Sequence, residues 1–435
     1  MYKVSEITEI TGGELIRKSN TNPEINDILV DSRRLINADN CAFFALQGRN
    51  RSGHEYIQEL YDKGIRTFIV SNNNLDLDNF KGANFIRVRN TLTALQALCA
   101  AHRKRFDIPV IGITGSNGKT IVKEWLFQLL QKRYRIVRSP KSYNSQIGVP
   151  LSVWQMEESN TLAIFEGGIS KPDEMEKLQS IIRPTIGIFT NIGEAHNENF
   201  ISLSQKIGEK LKFFTKVDTL IYCSDHTAIQ EVLIRSQILE TVRSFTWSRK
   251  QKADLQILSV VKSKMDQTTI TGLYKDKELS IEIPFVDEAS VENAIHCWAT
   301  MLFLEIDQEY ISENMPKLHP IAMRLEMKAG INHCTVINDS YNSDINSLSI
   351  AIDFLNQQSR HKKRTIILSD ILQSGKDEEE LYQDIAKILK QKNIGRIIGV
   401  GPAISRQAEF FEMEKVFFPS TEDFLRGYPI ASFYN

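Results

Sequence analysis

Cysteine is scarce in this chain of 435 residues: there are five, Cys41, Cys99, Cys223, Cys297 and Cys334. None forms a CxxC pair or a metal-ligand spacing, so neither a disulfide framework nor a structural zinc site is expected, and a reducing cytoplasm is the natural compartment. Long apolar runs are missing as well. No stretch approaches a membrane span, and the opening MYKVSEITEITGG lacks the basic-then-apolar pattern of a secretion signal. Net charge is equally thin, with 53 Lys and Arg against 54 Asp and Glu. No global basic field is available to recruit nucleic acid or anionic membrane, so any anionic ligand must be held by a local site. Internal repeats and low-complexity stretches are absent too.

What is present is an ordinary globular balance on a chain too long for one core. Short apolar runs at 28–30, 42–46, 67–70 and 85–88, separated by turn residues, predict a small α/β unit over residues 1–90. An Ala/Leu-rich helix at 91–105 leads into a second region, 91–322, where apolar runs alternate with helical patterns. That is the rhythm of a parallel sheet with helices on both faces. Residues 254–284 read instead as an antiparallel extension, and 289–304 as a return to helix. A third, Rossmann-like α/β region, 323–435, has strands at 335–337, 364–368 and 396–400 and an amphipathic helix at 378–391.

The sharpest local signal is Thr114-Gly115-Ser116-Asn117-Gly118-Lys119-Thr120, set between a predicted strand and a predicted helix. Glycines let successive backbone N–H groups face one concavity, and the helix N-terminus adds partial positive charge. Lys119 is placed to reach nucleotide phosphates, and the Thr120 hydroxyl to ligate Mg²⁺. Ile113 stands where a standard GxxxxGKT loop has its first glycine.

Other stretches add to this one. Asp31-Ser32-Arg33 is followed by Ala45-Leu46-Gln47-Gly48 and Gly53-His54. Ser142-Tyr143-Asn144-Ser145-Gln146-Ile147-Gly148-Val149-Pro150 precedes Phe165-Glu166-Gly167-Gly168, which places a carboxylate at the carboxyl end of a strand. Then come Thr190-Asn191-Ile192-Gly193-Glu194-Ala195-His196, Gly208-Glu209-Lys210, Val291-Glu292-Asn293-Ala294, Met323-Arg324-Leu325-Glu326 and Asn338-Asp339-Ser340-Tyr341-Asn342.

Taken in order, these stretches resemble the Mur ligases, a family that activates a carboxylate with ATP and couples it to an amine. The resemblance spans nearly the whole chain and is nearest the branch that adds D-alanyl-D-alanine to UDP-N-acetylmuramoyl-tripeptide, because Tyr341-Asn342 follows Ser340 where other branches carry a lysine. It implies that Ser32, Arg33, Gly48 and His54 bind the uridine nucleotide and that Asn144 and Gln146 contact the substrate. Gly115, Ser116, Asn117, Gly118, Lys119 and Thr120 would cradle ATP. Asn293 would bond adenine, Arg324 the ATP phosphates, and Asp339, Tyr341 and Asn342 the nucleoside. Thr120, Glu166, His196 and a carbamylated Lys210 would hold two Mg²⁺ ions, making Lys119, Lys210, His196 and Arg324 the catalytic set. Carbamylation needs a neutral amine, hence a buried one. From the residues alone, Lys206, Lys210, Lys212 and Lys216 read equally well as a solvated helix face.

There are departures. Ser142, Ser145, Met323 and Asn338 replace the family's usual asparagines, glycine and aspartate, and Leu368 to Gly375 matches only loosely. Family members continue past a segment like Thr421-Glu422-Asp423-Phe424-Leu425 to a last strand with K-G-S-R, whereas this sequence stops at Asn435. Two arrangements fit: a cut chain, or the front half of a fusion, since some bacterial lineages join this ligase to an alanine racemase. Without that strand the third region would have an unpaired edge. Competing readings are a sister ligase that adds one amino acid, folylpolyglutamate synthase, a non-catalytic nucleotide-binding scaffold, and a nucleic-acid ATPase, the last disfavoured by the neutral charge.

Overall fold

The computed structural model describes the chain except for residues 20–21, 49–50, 72–74, 194–198, 264–266, 323, 331–333, 341–343, 358–362, 373, 375 and 429–435. His196, Tyr341 and Asn342 therefore lie outside the described residues. Two compact units result. One comprises Met1–Gly112, Tyr134–Gly167 and Glu176–Pro184, the other Ile113–Arg133, Gly168–Met175 and Thr185–Asn435.

In the first unit, five strands run in the order Glu14–Arg17, Asn84–Arg87, Thr67–Val70, Cys41–Phe44 and Asp27–Leu29. Only Glu14–Arg17 is antiparallel to its neighbour. Cys41–Phe44 and Thr67–Val70 are unbroken apolar runs buried on both faces, as inner parallel strands require. Phe43, Phe68 and Phe85 fill the core between them, with the Phe68 and Phe85 rings stacked 4.9 Å apart. The helix Thr91–Arg103 starts at Asn90, whose side chain accepts from the Thr93 N–H at 2.9 Å. It ends where Arg103 donates to the Ile182 carbonyl at 2.8 Å. This unit also holds a parallel pair, Ile136–Arg138 with Leu162–Glu166, and a short antiparallel pair, Tyr2–Lys3 with Glu24–Ile25.

In the second unit the strands follow the order Lys277–Ile283, Thr268–Tyr274, Leu255–Lys262, Arg243–Ser248, Thr219–Cys223 and Ile186–Phe189. The first three are mutually antiparallel and the rest parallel, so the β-rich stretch is the antiparallel extension that its alternation predicts. Helix Glu288–Phe303 is buried almost all round, starts on an Asp287 cap and packs against helix Lys119–Leu130. Further along lie a hairpin, Glu326–Ala329 with Thr335–Asn338, and a parallel sheet of Thr365–Ser369, Arg396–Val400 and Glu414–Phe418. Helix Glu378–Gln391 buries Leu381, Tyr382, Ile385 and Leu389 against that sheet.

The strand Val110–Thr114 is shared. Its start belongs to the first unit, where Pro109 accepts from the Ala163 N–H, and its end to the second, where Thr114 accepts from the Thr190 N–H at 3.0 Å. Among the described residues no helix is long and apolar enough to cross a membrane.

Candidate active site

The site grows from the end of that strand. Val110–Thr114 is wholly buried, and the chain then turns through Gly115 and Gly118, both in the left-handed half of backbone space at φ 150° and 80°. A Cβ on Gly115 would lie 2.0 Å from the Thr190 hydroxyl, and one on Gly118 would lie 2.3 Å from Asn293 Oδ1. Only glycine fits either place. Asn191 then fixes the turn. Its carbonyl accepts from Ser116 N–H and its side chain from Asn117 N–H, both at 2.9 Å. The Gly193 N–H donates to Ser116 Oγ at 2.8 Å, and the Thr190 hydroxyl donates to the Asn117 carbonyl at 2.6 Å. Lys119 and Thr120 open the helix Lys119–Leu130, so its first N–H groups and its dipole face this turn.

Two lysine amines converge on one carbonyl. Lys119 Nζ donates to the Gly115 and Ser116 carbonyls, each at 2.8 Å, and Lys210 Nζ donates to the Gly115 carbonyl at 3.1 Å. Lys210 is buried, and burial drives its basicity well below the usual lysine range, with the charges of Lys119 and Lys206 pushing the same way. Lys206, one turn earlier, is buried and donates to the Gly193 carbonyl. Lys212 instead sits part-exposed between Glu209 at 2.7 Å and Asp173 at 3.3 Å, and Lys216 is exposed. The helix Leu203–Leu211 thus turns both of its lysines, Lys206 and Lys210, inward, while Lys212 and Lys216 follow it on the outside.

Segments beyond residue 320 reach the same loop. Ser347 Oγ lies 3.3 Å from Asn117 Oδ1 while donating to Asp344 at 2.6 Å. A cavity of about 120 Å³ is lined by Ile121, Trp125, Phe285 and Asp287 on one side and Arg324 and Leu325 on the other. The Leu325 N–H donates to Asp339 at 3.2 Å. Burial lifts the Asp339 carboxyl to about 6; that N–H and Arg324 oppose the rise, and Asp344 adds to it.

The first unit holds the remaining sequence candidates. Asp31 and Arg33 form a two-pronged pair at 2.9 and 2.8 Å, which holds the Asp31 carboxyl down to about 2, and the Arg33 side chain is 85% exposed. Ser32 is buried. Arg34 donates to the Tyr143 hydroxyl. His54 is occupied at both ring nitrogens: Nε2 accepts from the Ser71 N–H at 3.0 Å, and Nδ1–H donates to Ser52 Oγ at 2.9 Å. Gly48 and Gly53 shape the neighbouring turn, where a Cβ on Gly53 would stand 2.8 Å from the Leu46 nitrogen. Gln146 accepts from Gln96 through both its carbonyl and its side chain, and Asn144 is half-buried. Glu166 ends its strand fully buried, with its N–H donating to Ser139 Oγ at 3.2 Å. Among the described residues, no group of three His, Cys, Asp or Glu is arranged to hold a metal.

Several contributors escape the sequence reading. Thr190 and Asn191 lie inside a recognised motif that drew attention only for its histidine. His296 and Ser347 carry no local signal at all, and Lys206 reads in the sequence only as one of four lysines on a solvated face.

Residues 113–301 match the Mur ligase middle domain. The UDP-N-acetylmuramoyl-tripeptide--D-alanyl-D-alanine ligase of Bacillus subtilis (strain 168) is 27% identical over 402 residues, covering 92% of this chain and 85% of its own. The chain is thus similar to Mur ligases along most of its length. Its fold is similar to that of MurF from Acinetobacter baumannii, with a TM-score of 0.85 at 22% identity over 98% of this chain and 91% of that one. It is also similar to MurF ligase from Thermotoga maritima in complex with ADP, with a TM-score of 0.73 at 18% identity over 90% and 87% of the two chains. The Mur ligase middle domain spans the phosphate loop, Lys210 and Asn293 alike.

Proposed function

We propose that this protein joins D-alanyl-D-alanine to UDP-N-acetylmuramoyl-tripeptide at the expense of ATP, in building the peptidoglycan precursor. The observation that carries the reading is the meeting of Lys119 and Lys210 on the Gly115 carbonyl at a glycine turn, in a chain whose curated relatives are named for that reaction. A carboxylate oxygen of the tripeptide bonds to the γ-phosphorus, the bond to the β–γ bridging oxygen breaks, and ADP leaves. The dipeptide amine then bonds to the acyl carbon, phosphate departs with the C–O electron pair, and the amine proton passes to water. Positioning and charge neutralisation supply most of the acceleration in such chemistry.

On this reading residues 1–90 bind the uridine nucleotide through Ser32, Arg33, Gly48 and His54, the last acting through the turn it holds. Residues 91–322 carry the ATP loop, with Asn144 and Gln146 toward the peptide substrate and Asn293 toward adenine. Residues 323–435 close over the nucleotide with Arg324, Asp339, Tyr341 and Asn342. Oxygen donors dominate the proposed set, and such donors suit Mg²⁺. The buried Lys210 amine is held toward the neutral form whose lone pair can attack CO₂ to give a carbamate and a proton. Thr120, Glu166, His196 and that carbamate would hold the metal, which neutralises phosphate charge when bound. We place the reaction in the cytoplasm; all five cysteines are free thiols, four of them buried.

The deciding experiment follows phosphate release from ATP and Mg²⁺ with UDP-N-acetylmuramoyl-tripeptide and D-alanyl-D-alanine, leaving out each in turn. Release that needs both, with a UDP-linked pentapeptide by mass, is the expected result. Release driven by a single amino acid would move the chain to a sister branch, and no release in any combination would overturn the reading.

A further inference from the structure

Helix Glu288–Phe303 meets the phosphate loop twice. Asn293 lies against Gly118, and three residues on, on the same face, His296 donates from Nε2 to the Thr190 carbonyl at 3.0 Å. A carbonyl can only accept, so the proton resides on Nε2. The other nitrogen, Nδ1, accepts from the indole N–H of Trp247 at 3.2 Å, and an indole can only donate. One uncharged tautomer satisfies both partners. The ring is fully buried and meets Trp247 edge-on at 5.1 Å.

We propose that His296 is a positioning residue of the nucleotide site: with Trp247 behind it, it fixes the backbone of Thr190, and through the Thr190 hydroxyl the carbonyl of Asn117 in the phosphate loop. The inference rests on the reading of that loop as the ATP site. Thr190 is the pivot, because its N–H and its hydroxyl both bond into the loop strand while its own carbonyl faces His296. Its hydroxyl also forms the floor that a Cβ on Gly115 would strike. Here the line Trp247, His296, Thr190, Asn117 crosses from a strand through a helix to the strand beside the loop. Burial keeps the imidazole deprotonated down to about 4, so one tautomer persists across the neutral range.

The test compares wild type with H296L, H296Q and W247F in KM for ATP, kcat, Kd for ADP and thermal midpoint. Leucine keeps the bulk and removes the donor; KM for ATP and Kd for ADP should rise about tenfold, the cost of one buried hydrogen bond, with little change in KM for the tripeptide substrate. The glutamine amide can occupy the Nε2 position and should bring both constants back to within about threefold of wild type. W247F should raise them about threefold. A wild-type KM for ATP in H296L, or equal constants in H296L and H296Q, would overturn the proposal. If H296L does not fold, H296Q and W247F carry the test, and an unchanged Kd for ADP in W247F counts against it. Wild type that binds ADP but shows no ligase turnover would sink the functional reading alone, since the ADP constants still judge His296.

Discussion

The phosphate loop and the segment from Asp31 to His54 are both rich in groups suited to anions, yet they are built differently. In the loop, the shape comes from backbone amides and carbonyls tied to Thr190, Asn191 and Gly193, with Lys206 and Lys210 buried and Lys119 half-buried beside it. In the other segment the arginine lies in solvent, already paired with its own aspartate, and the histidine is spent on two internal bonds. The first arrangement is organised in advance for a multiply charged ligand. The second gives up an ion pair that water screens, so it contributes recognition more than rate.

Removing a cation from each region should expose that contrast. Lys119→Ala should lower kcat roughly a thousandfold in the phosphate-release assay while the thermal midpoint stays near wild type; a loss under tenfold would mean the loop is not the catalytic anion site. Lys210→Ala should cost about a hundredfold, in keeping with a group that supports a metal. In CO₂-depleted buffer, wild-type turnover should rise on adding bicarbonate while Lys210→Ala does not respond, and a bicarbonate-blind wild type would remove the carbamate from the scheme. Arg33→Ala should raise KM for the UDP-linked substrate about tenfold and leave kcat and KM for ATP alone. Were kcat to fall instead, the two regions would not divide binding from rate.

The smallest effect concerns Asp339. Its carboxyl stands at about 6 against an ordinary 3.8 because of burial. A carboxyl raised in this way contributes stability that is whole below the unfolded value of 3.8 and is lost as pH rises through about 6. Nucleotide binding runs the other way, since a ribose hydroxyl donates best to the ionised form. KM for ATP should therefore fall about threefold between pH 5 and pH 7, and Asp339→Asn should flatten that slope.

Much of the fold was legible because its signals are local. The glycine turn, the strand before it and the helix after it sit within one short stretch. Helix Glu378–Gln391 shows so clean an apolar face that its predicted bounds coincide with the observed ones. Helix Ile345–Gln357 was not anticipated. Ile345, Leu348, Ile352 and Leu355 do face the core, but Ser347, Ser349 and Asp353 between them have weak helix propensity, and packing decides the outcome. Strand Glu414–Phe418 opens with two charged residues and hid for a similar reason. At the site, residue types were readable and directions were not. Lys206 and Lys210 lie on the buried face of Leu203–Leu211, whereas Lys212 and Lys216 come after the helix has ended. The histidine that meets Thr190 is 106 positions away in sequence, a distance no periodicity reveals.

Lys119 and Lys206 stand near enough to Lys210 that both lower its basicity. Such a cluster makes the folded chain depend on what the cell supplies. A ligand that binds only the native form stabilises it in proportion to the logarithm of its concentration over Kd, and an anion here also relieves mutual repulsion. The protein should resist proteolysis best when nucleotide is plentiful and be cleared faster when it runs short, so its abundance would follow energy supply without any dedicated regulator. Proteolysis rates that are the same with and without ADP would remove that link.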